Sequence, residues 1–208
     1  YITNITEELT IINTSVTSLS ALPNLVQIGS LFQLNYNPLL TSIGLNNLTQ
    51  LGEVVFRVNP SLNSIAGLSN NIDSIGGVLI DTSALTSLSG LSGIVHFDGY
   101  LDIRNTPITN LSSLTSLVSI NGYLRLESIP TLTTIGINGL EYTWGFLFSG
   151  LNNLTTLAGL TNDLTTTNIG SFWLINTGIA NFTGFDSLTS CVNFYIWINP
   201  NLTSLQGL

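Results

Sequence analysis

The chain has 208 residues, only 7% of them charged, and its formal net charge is −8 because its only strong cations are Arg57, Arg104 and Arg125. Neutralising phosphates takes several clustered Lys or Arg, so a nucleic-acid or anionic-lipid partner is excluded as a leading reading. An ordinary soluble domain carries roughly 25% charged residues, so Ser, Thr and Asn must wet this surface instead.

The mean hydropathy of +0.45 is high, yet no stretch reaches the roughly 18 to 20 continuous apolar residues of a spanning helix. No membrane span is expected in this segment. Cys191 is the only cysteine and His96 the only histidine, which rules out an intrachain disulfide, a cysteine metal cluster and a multi-histidine site. His96, in Ile94-Val95-His96-Phe97, reads as a corner residue.

Along the chain a four-residue motif recurs: apolar, Thr or Asn, Ser or Thr, apolar. Its first copies are Val16-Thr17-Ser18-Leu19, Leu40-Thr41-Ser42-Ile43, Leu62-Asn63-Ser64-Ile65, Leu85-Thr86-Ser87-Leu88 and Ile108-Thr109-Asn110-Leu111. Leu132-Thr133-Thr134-Ile135, Leu154-Thr155-Thr156-Leu157, Ile179-Ala180-Asn181-Phe182 and Leu202-Thr203-Ser204-Leu205 follow. The starts at 16, 40, 62, 85, 108, 132, 154, 179 and 202 give a period near 23, within the range of solenoid repeats.

Each copy is preceded by a short alternating run, such as Leu101-Asp102-Ile103 or Leu124-Arg125-Leu126, with the period of two expected of a strand. It is followed by a small residue and Leu, as in Gly67-Leu68, Gly90-Leu91, Gly159-Leu160 and Gly207-Leu208. A third step often ends in Gly, as in Ile28-Gly29, Leu51-Gly52 and Ile75-Gly76, where a tight backbone bend would start the next strand. The expected fold is mainly β: a right-handed leucine-rich-repeat β-solenoid of about nine turns of about 23 residues. At ~4.8 Å per rung that is a rod about 43 Å long. Residues 1–208 are expected to be one array, a segment of a longer chain.

The units Asn59-Pro60-Ser61-Leu62-Asn63-Ser64-Ile65-Ala66-Gly67-Leu68 and Asn199-Pro200-Asn201-Leu202-Thr203-Ser204-Leu205-Gln206-Gly207-Leu208 resemble the receptor L domain. That is the leucine-rich ectodomain module of insulin and epidermal growth factor receptors, also similar to repeats of fungal cell-wall glycoproteins. The resemblance implies the solenoid fold across essentially the whole chain. The chain departs from receptor L domains in lacking cysteines to brace its ends.

Sequons place candidate N-glycosylation sites at Asn4, Asn13, Asn47, Asn110, Asn153, Asn181 and Asn201, which points to an extracellular or cell-surface location. Asn110, Asn153, Asn181 and Asn201 are expected at corners with their side chains pointing out. On the strand face, the residue between the two inward apolar positions should point outward, giving Thr10, Gln33, Arg57, Leu79, Asp102, Arg125, Leu147, Trp173 and Trp197. Cross-strand ion pairs are expected between Asp102 and Arg125, Asp81 and Arg104, and Arg104 and Glu127. Trp173 and Trp197, with Tyr195, Tyr123 and Tyr100 in a neighbouring outward column, form the candidate partner-binding surface, because exposed large aromatics mark contact sites.

No paired-carboxylate cleft, phosphate loop or nucleophile elbow is recognisable, so no enzymatic activity and no cofactor are expected. The leading expectation is an extracellular structural or adhesive glycoprotein module. Its solenoid ends would be covered by flanking chain or by end-to-end self-association, as in a surface fibre or wall assembly. A receptor-like ligand-recognition ectodomain is the alternative. Ice binding is a minor one, from the aligned Thr17, Thr41, Thr86, Thr109, Thr133, Thr155 and Thr203.

Overall fold

The computed structural model describes residues 1–208 except 69–70, 159, 161–163, 166–167, 184 and 186, so Gly159 of the second step lies outside the described residues. The chain forms a parallel β-solenoid of about 23 residues per turn. Its strands are β1 (Asn4–Ile5), β2 (Glu8–Ile12), β3 (Gln27–Asn35), β4 (Gln50–Asn59), β5 (Ser74–Ile75), β6 (Val78–Ser83), β7 (His96–Phe97), β8 (Leu101–Arg104), β9 (Ser119–Glu127), β10 (Tyr142–Leu151), β11 (Asn168–Thr177) and β12 (Ser190–Trp197). One short 3₁₀ turn at Ser89–Leu91 is the sole helical element among the described residues.

The rungs β2, β3, β4, β6, β8, β9, β10, β11 and β12 stack in chain order. Nine rungs bound eight complete turns, so the nine motif copies correspond to about eight turns of coil. Two inward columns run through them without a break. One is Leu9, Phe32, Val54, Val78, Leu101, Leu124, Phe146, Phe172, Phe194, and the other is Ile11, Leu34, Phe56, Ile80, Ile103, Leu126, Phe148, Leu174, Ile196. The motif leucines and isoleucines close the same core from the opposite sides of the coil, in one continuous cluster. Burying each such side chain stabilises the fold by about 1.5–3 kcal/mol.

The repeated tight corner is not where the glycines suggest. It lies at the C-terminal end of each stacked strand, at Asn13, Tyr36, Val58, Thr82, Asn105, Ser128, Gly150, Asn176 and Ile198, all with φ between 49° and 66°. Only one of these nine is glycine. Gly29 and Gly52 do not take this conformation; a Cβ on Gly29 would overlap the Thr6 carbonyl oxygen, and one on Gly52 that of Ser30. Glycine is needed there because stacked backbones approach closely where the ladder shifts register between Ile28 and Leu31.

An amide ladder holds the corner. Asn37 Oδ1 accepts from the Thr14 N–H (3.0 Å) and hydroxyl (2.7 Å), while its Nδ2 donates to the Ile11 carbonyl at 2.9 Å. Asn59 Oδ1 accepts from the Asn37 N–H at 3.1 Å, and Asn59 Nδ2 donates to the Leu34 carbonyl at 2.8 Å. Asn199 repeats this for Thr177 and Leu174 in the last turn. The Asn of the Asn-Pro unit is therefore an internal brace, and the following Pro gives up an N–H at a position already out of the ladder.

The same corner corrects the outward column. Register pairs Thr10, Gln33, Val55, Leu79, Asp102, Arg125, Leu147, Trp173 and Tyr195. Val55 and Tyr195 thus replace the expected Arg57 and Trp197, which sit in the next outward column beside Asp81 and Ile175. Alternation decides only which face a residue takes. Residues 55 and 57 share a face, and the left-handed corner three residues on fixes which of them stacks.

Candidate binding face

The outward face changes character along the coil. Leu79 and Asp102 lie in the outward column yet are each only 6% exposed, a correction to their expected solvation. Asp102 is covered by Arg104, whose Nε donates to Asp102 Oδ1 at 2.7 Å and whose Nη2 pairs with Oδ2. That hydrogen bond, above all, raises the Arg104 pKa further.

The ion pairs run mainly along strands. Arg125 Nη2 meets Glu127 Oε2 of its own strand at 2.6 Å, and the one cross-strand pair among the described residues is Arg104 to Glu127, at 3.8 Å. The expected Asp102–Arg125 and Asp81–Arg104 pairs do not form. Asp81 accepts instead from Asn105 Nδ2 at 2.7 Å and the Thr82 hydroxyl at 3.0 Å. A long Arg side chain readily reaches a carboxylate two residues away on the same face, and the charge of each partner is thereby compensated within its own strand.

The five candidate aromatics separate into two groups. Tyr100 lies over Gly77, where a Cβ would sit 3.1 Å from its ring, and its hydroxyl donates to Glu53 two rungs away. Burial, then that hydrogen bond, pushes the Tyr100 phenol above its ordinary value. This is a packed structural tyrosine, apart from the others. Tyr123 contacts Trp144 edge-on, with centroids 4.6 Å apart, and leans over Gly145. Trp144, 45% exposed, in turn covers Gly170.

Trp173 and Tyr195 are register neighbours in one column, rings tilted at 60° with centroids 4.8 Å apart, and Trp197 stands in the adjacent column beside Ile175. Two recesses adjoin here. One, about 360 Å³, is lined by Tyr123, Arg125, Glu127, Leu147, Ser149 and Trp173 among others; the second, about 460 Å³, by Trp173, Ile175, Tyr195, Ile196 and Trp197. Trp173 and Ile175 line both. The outward side chains of β9–β12 therefore make an aromatic trough with its charged pair at one end.

Sequence reasoning missed Trp144 and Ile175. Trp144 falls where the β9–β10 register shifts between Thr143 and Gly145, so alternation gives no face for it. The usable signal was an aromatic one rung from a glycine, the pairing seen for Tyr100 with Gly77 and Trp144 with Gly170.

Of the sequon asparagines, Asn4, Asn13, Asn47, Asn153 and Asn201 are exposed, whereas Asn110 and Asn181 are half-buried. Those two do not point freely outward. Asn110 Oδ1 accepts from the Ser112 N–H at 3.0 Å and its hydroxyl at 2.5 Å, and Asn181 Oδ1 from the Thr183 N–H at 2.9 Å, because a short amide caps the turn it starts. Asn47 and Asn153 each donate one amide hydrogen to a proline carbonyl of the preceding turn, Pro23 and Pro130, both at 2.6 Å.

His96 is exposed and lies in the short strand β7 rather than at a corner, with Nδ1 2.9 Å from the Ser119 hydroxyl. In the threonine column the Thr41 hydroxyl turns back onto the Thr17 carbonyl at 3.1 Å and that of Thr133 onto Thr109 at 3.5 Å, and the column is interrupted at Asn63 and Ala180. No protein-family profile matches the chain, and no curated protein is detectably similar to it.

Proposed function

We propose that this chain is a non-catalytic extracellular glycoprotein module, structural or adhesive in role, that engages its partner through the outward face of β9–β12. The aromatic trough carries the reading. Trp144 and Trp173, on rungs stacked between neighbours on both sides, are 45% and 40% exposed, whereas the core-column aromatics Phe146, Phe148 and Phe172 of the same rungs are buried. Large side chains left open on a rigid sheet, beside two recesses, supply contact area at little ordering cost. A receptor-like ectodomain would use the same face toward a soluble ligand.

The extracellular part of the reading rests on seven sequons, five of them with exposed asparagines, in a chain whose scarcity of charge leaves glycans as a natural solubilising coat. Two measurements test the proposal. Intact mass of the secreted chain before and after glycosidase should differ by at least one glycan. Adhesion of the chain to cells or wall material should fall about tenfold or more in the Trp173→Ala/Tyr195→Ala double variant. Unchanged adhesion with the variant folded refutes the contact face; unchanged mass refutes the glycoprotein reading.

A further inference from the structure

We infer that the trough on β9–β12 is a subsite for a neutral saccharide chain; this rests on the contact face proposed above and names what it binds. A pyranose presents apolar C–H faces and a rim of hydroxyls that both donate and accept. The first recess offers that pattern: the rings of Tyr123 and Trp173, with Arg125 to donate, Glu127 to accept and Ser149 to do either. The second offers mainly apolar surface, the rings of Trp173, Tyr195 and Trp197 with Ile175 and Ile196. Their volumes, about 360 and 460 Å³, fall within the roughly 300–1,000 Å³ of small-ligand sites. The two recesses adjoin along the coil axis, sharing Trp173 and Ile175, so a linear chain of sugars can lie across both.

Charge selects the neutral class. Arg104 and Arg125 are balanced by Asp102 and Glu127 within one network. An acidic glycan therefore meets no uncompensated cation and a chain of net charge −8, and a cationic ligand meets no free carboxylate in the trough. Backbone geometry argues against an added peptide strand. β9, β10 and β11, which floor the first recess, are each hydrogen-bonded to neighbours on both sides, so that part of the face offers no edge for β-augmentation; among the described residues the unpaired edge is that of β12, at the end of the stack.

The test uses the full chain and a panel of cello-, manno-, laminari- and chito-oligosaccharides, followed by tryptophan emission and calorimetry. At least one should bind saturably in the micromolar to millimolar range, with little dependence on salt because the ligand is uncharged. Trp173→Ala should weaken it about tenfold or more, Trp173→Phe should retain most of it, and Glu127→Gln should weaken it less than Trp173→Ala. Trp197→Ala, at a more exposed site, serves as the second variant, with circular dichroism confirming the fold.

If no oligosaccharide binds, or Trp173→Ala and Trp197→Ala bind as well as wild type, the inference is overturned. Should sugar binding fail while the double variant still loses adhesion, the partner is a protein; the contact face stands and the saccharide assignment falls. If sugar binds through Trp173 while adhesion is unaffected by the double variant, the saccharide site stands and the adhesive role falls.

Discussion

Truncating Asn59 to alanine tests whether the corner amides hold the coil. Asn59 is 1% exposed. The change removes the acceptor of the Asn37 N–H, and of the Asn37 side-chain amide at 3.3 Å, and the donor to the Leu34 carbonyl. Two backbone groups are then orphaned in a buried corner, each at a cost of about 1–3 kcal/mol. The same bonds brace Val58, a β-branched residue at φ 55°, a conformation that itself costs about 1–2 kcal/mol. We expect a loss of about 3 kcal/mol. For a chain of this length that is roughly 6–12 °C in melting temperature, at about 2–4 °C per kcal/mol.

The location of the loss is as informative as its size. Each turn packs mainly on its immediate neighbours, so stability is largely local along a solenoid. Hydrogen exchange should accelerate first in β3 and β4, while β9–β11 keep their protection. A melting shift under about 2 °C, or a loss of protection spread evenly along the rod, would refute the reasoning.

Three further outcomes follow from other positions. Ile198→Asn should raise the melting temperature, by about 1 kcal/mol in stability, because an exposed β-branched residue at φ 54° gives way to one that tolerates that conformation; thermal denaturation reads it, and a fall counts against left-handed strain. Thr106 is 3% exposed and its hydroxyl has no partner among the described residues, so Thr106→Val should be stabilising by about 1 kcal/mol, measured in urea; a loss of that size would show the hydroxyl to be satisfied. Tyr100 has a phenol pKa raised above its unfolded value near 10, so the folded state keeps its proton longer and stability should fall as pH rises beyond about 10. Tyr100→Phe should flatten that alkaline decline while lowering stability at neutral pH through loss of the Glu53 bond; an unchanged alkaline slope counts against it.

Periodicity in the sequence was enough for the architecture. A motif every 23 or so residues, preceded by alternation, admits only a stack of similar turns, since no single turn can bury its own apolar side. The identity of the inward columns was legible for the same reason: Leu101 and Ile103 or Leu124 and Leu126 flank a polar residue that has nowhere else to go. The Asn-Pro units were legible as a signature, though not as internal braces.

Tertiary stacking decided the rest. Alternation has period two and cannot distinguish residue 55 from 57 or 195 from 197, so the left-handed corners set which side chains are neighbours. Because of that shift, Trp173 stacks on Tyr195 while Trp197 takes the next column. Tyr100 belongs to the packed scaffold only because Gly77 leaves its ring a place to lie, and Trp144 reaches the face only through the break in register before Gly145. The asparagine at 110, in Asn-Leu-Ser, stands in a sequon of the same form as that at 153, in Asn-Leu-Thr. One caps its own turn and the other lies exposed, a difference made by the fold of the corner rather than by the residues that spell it.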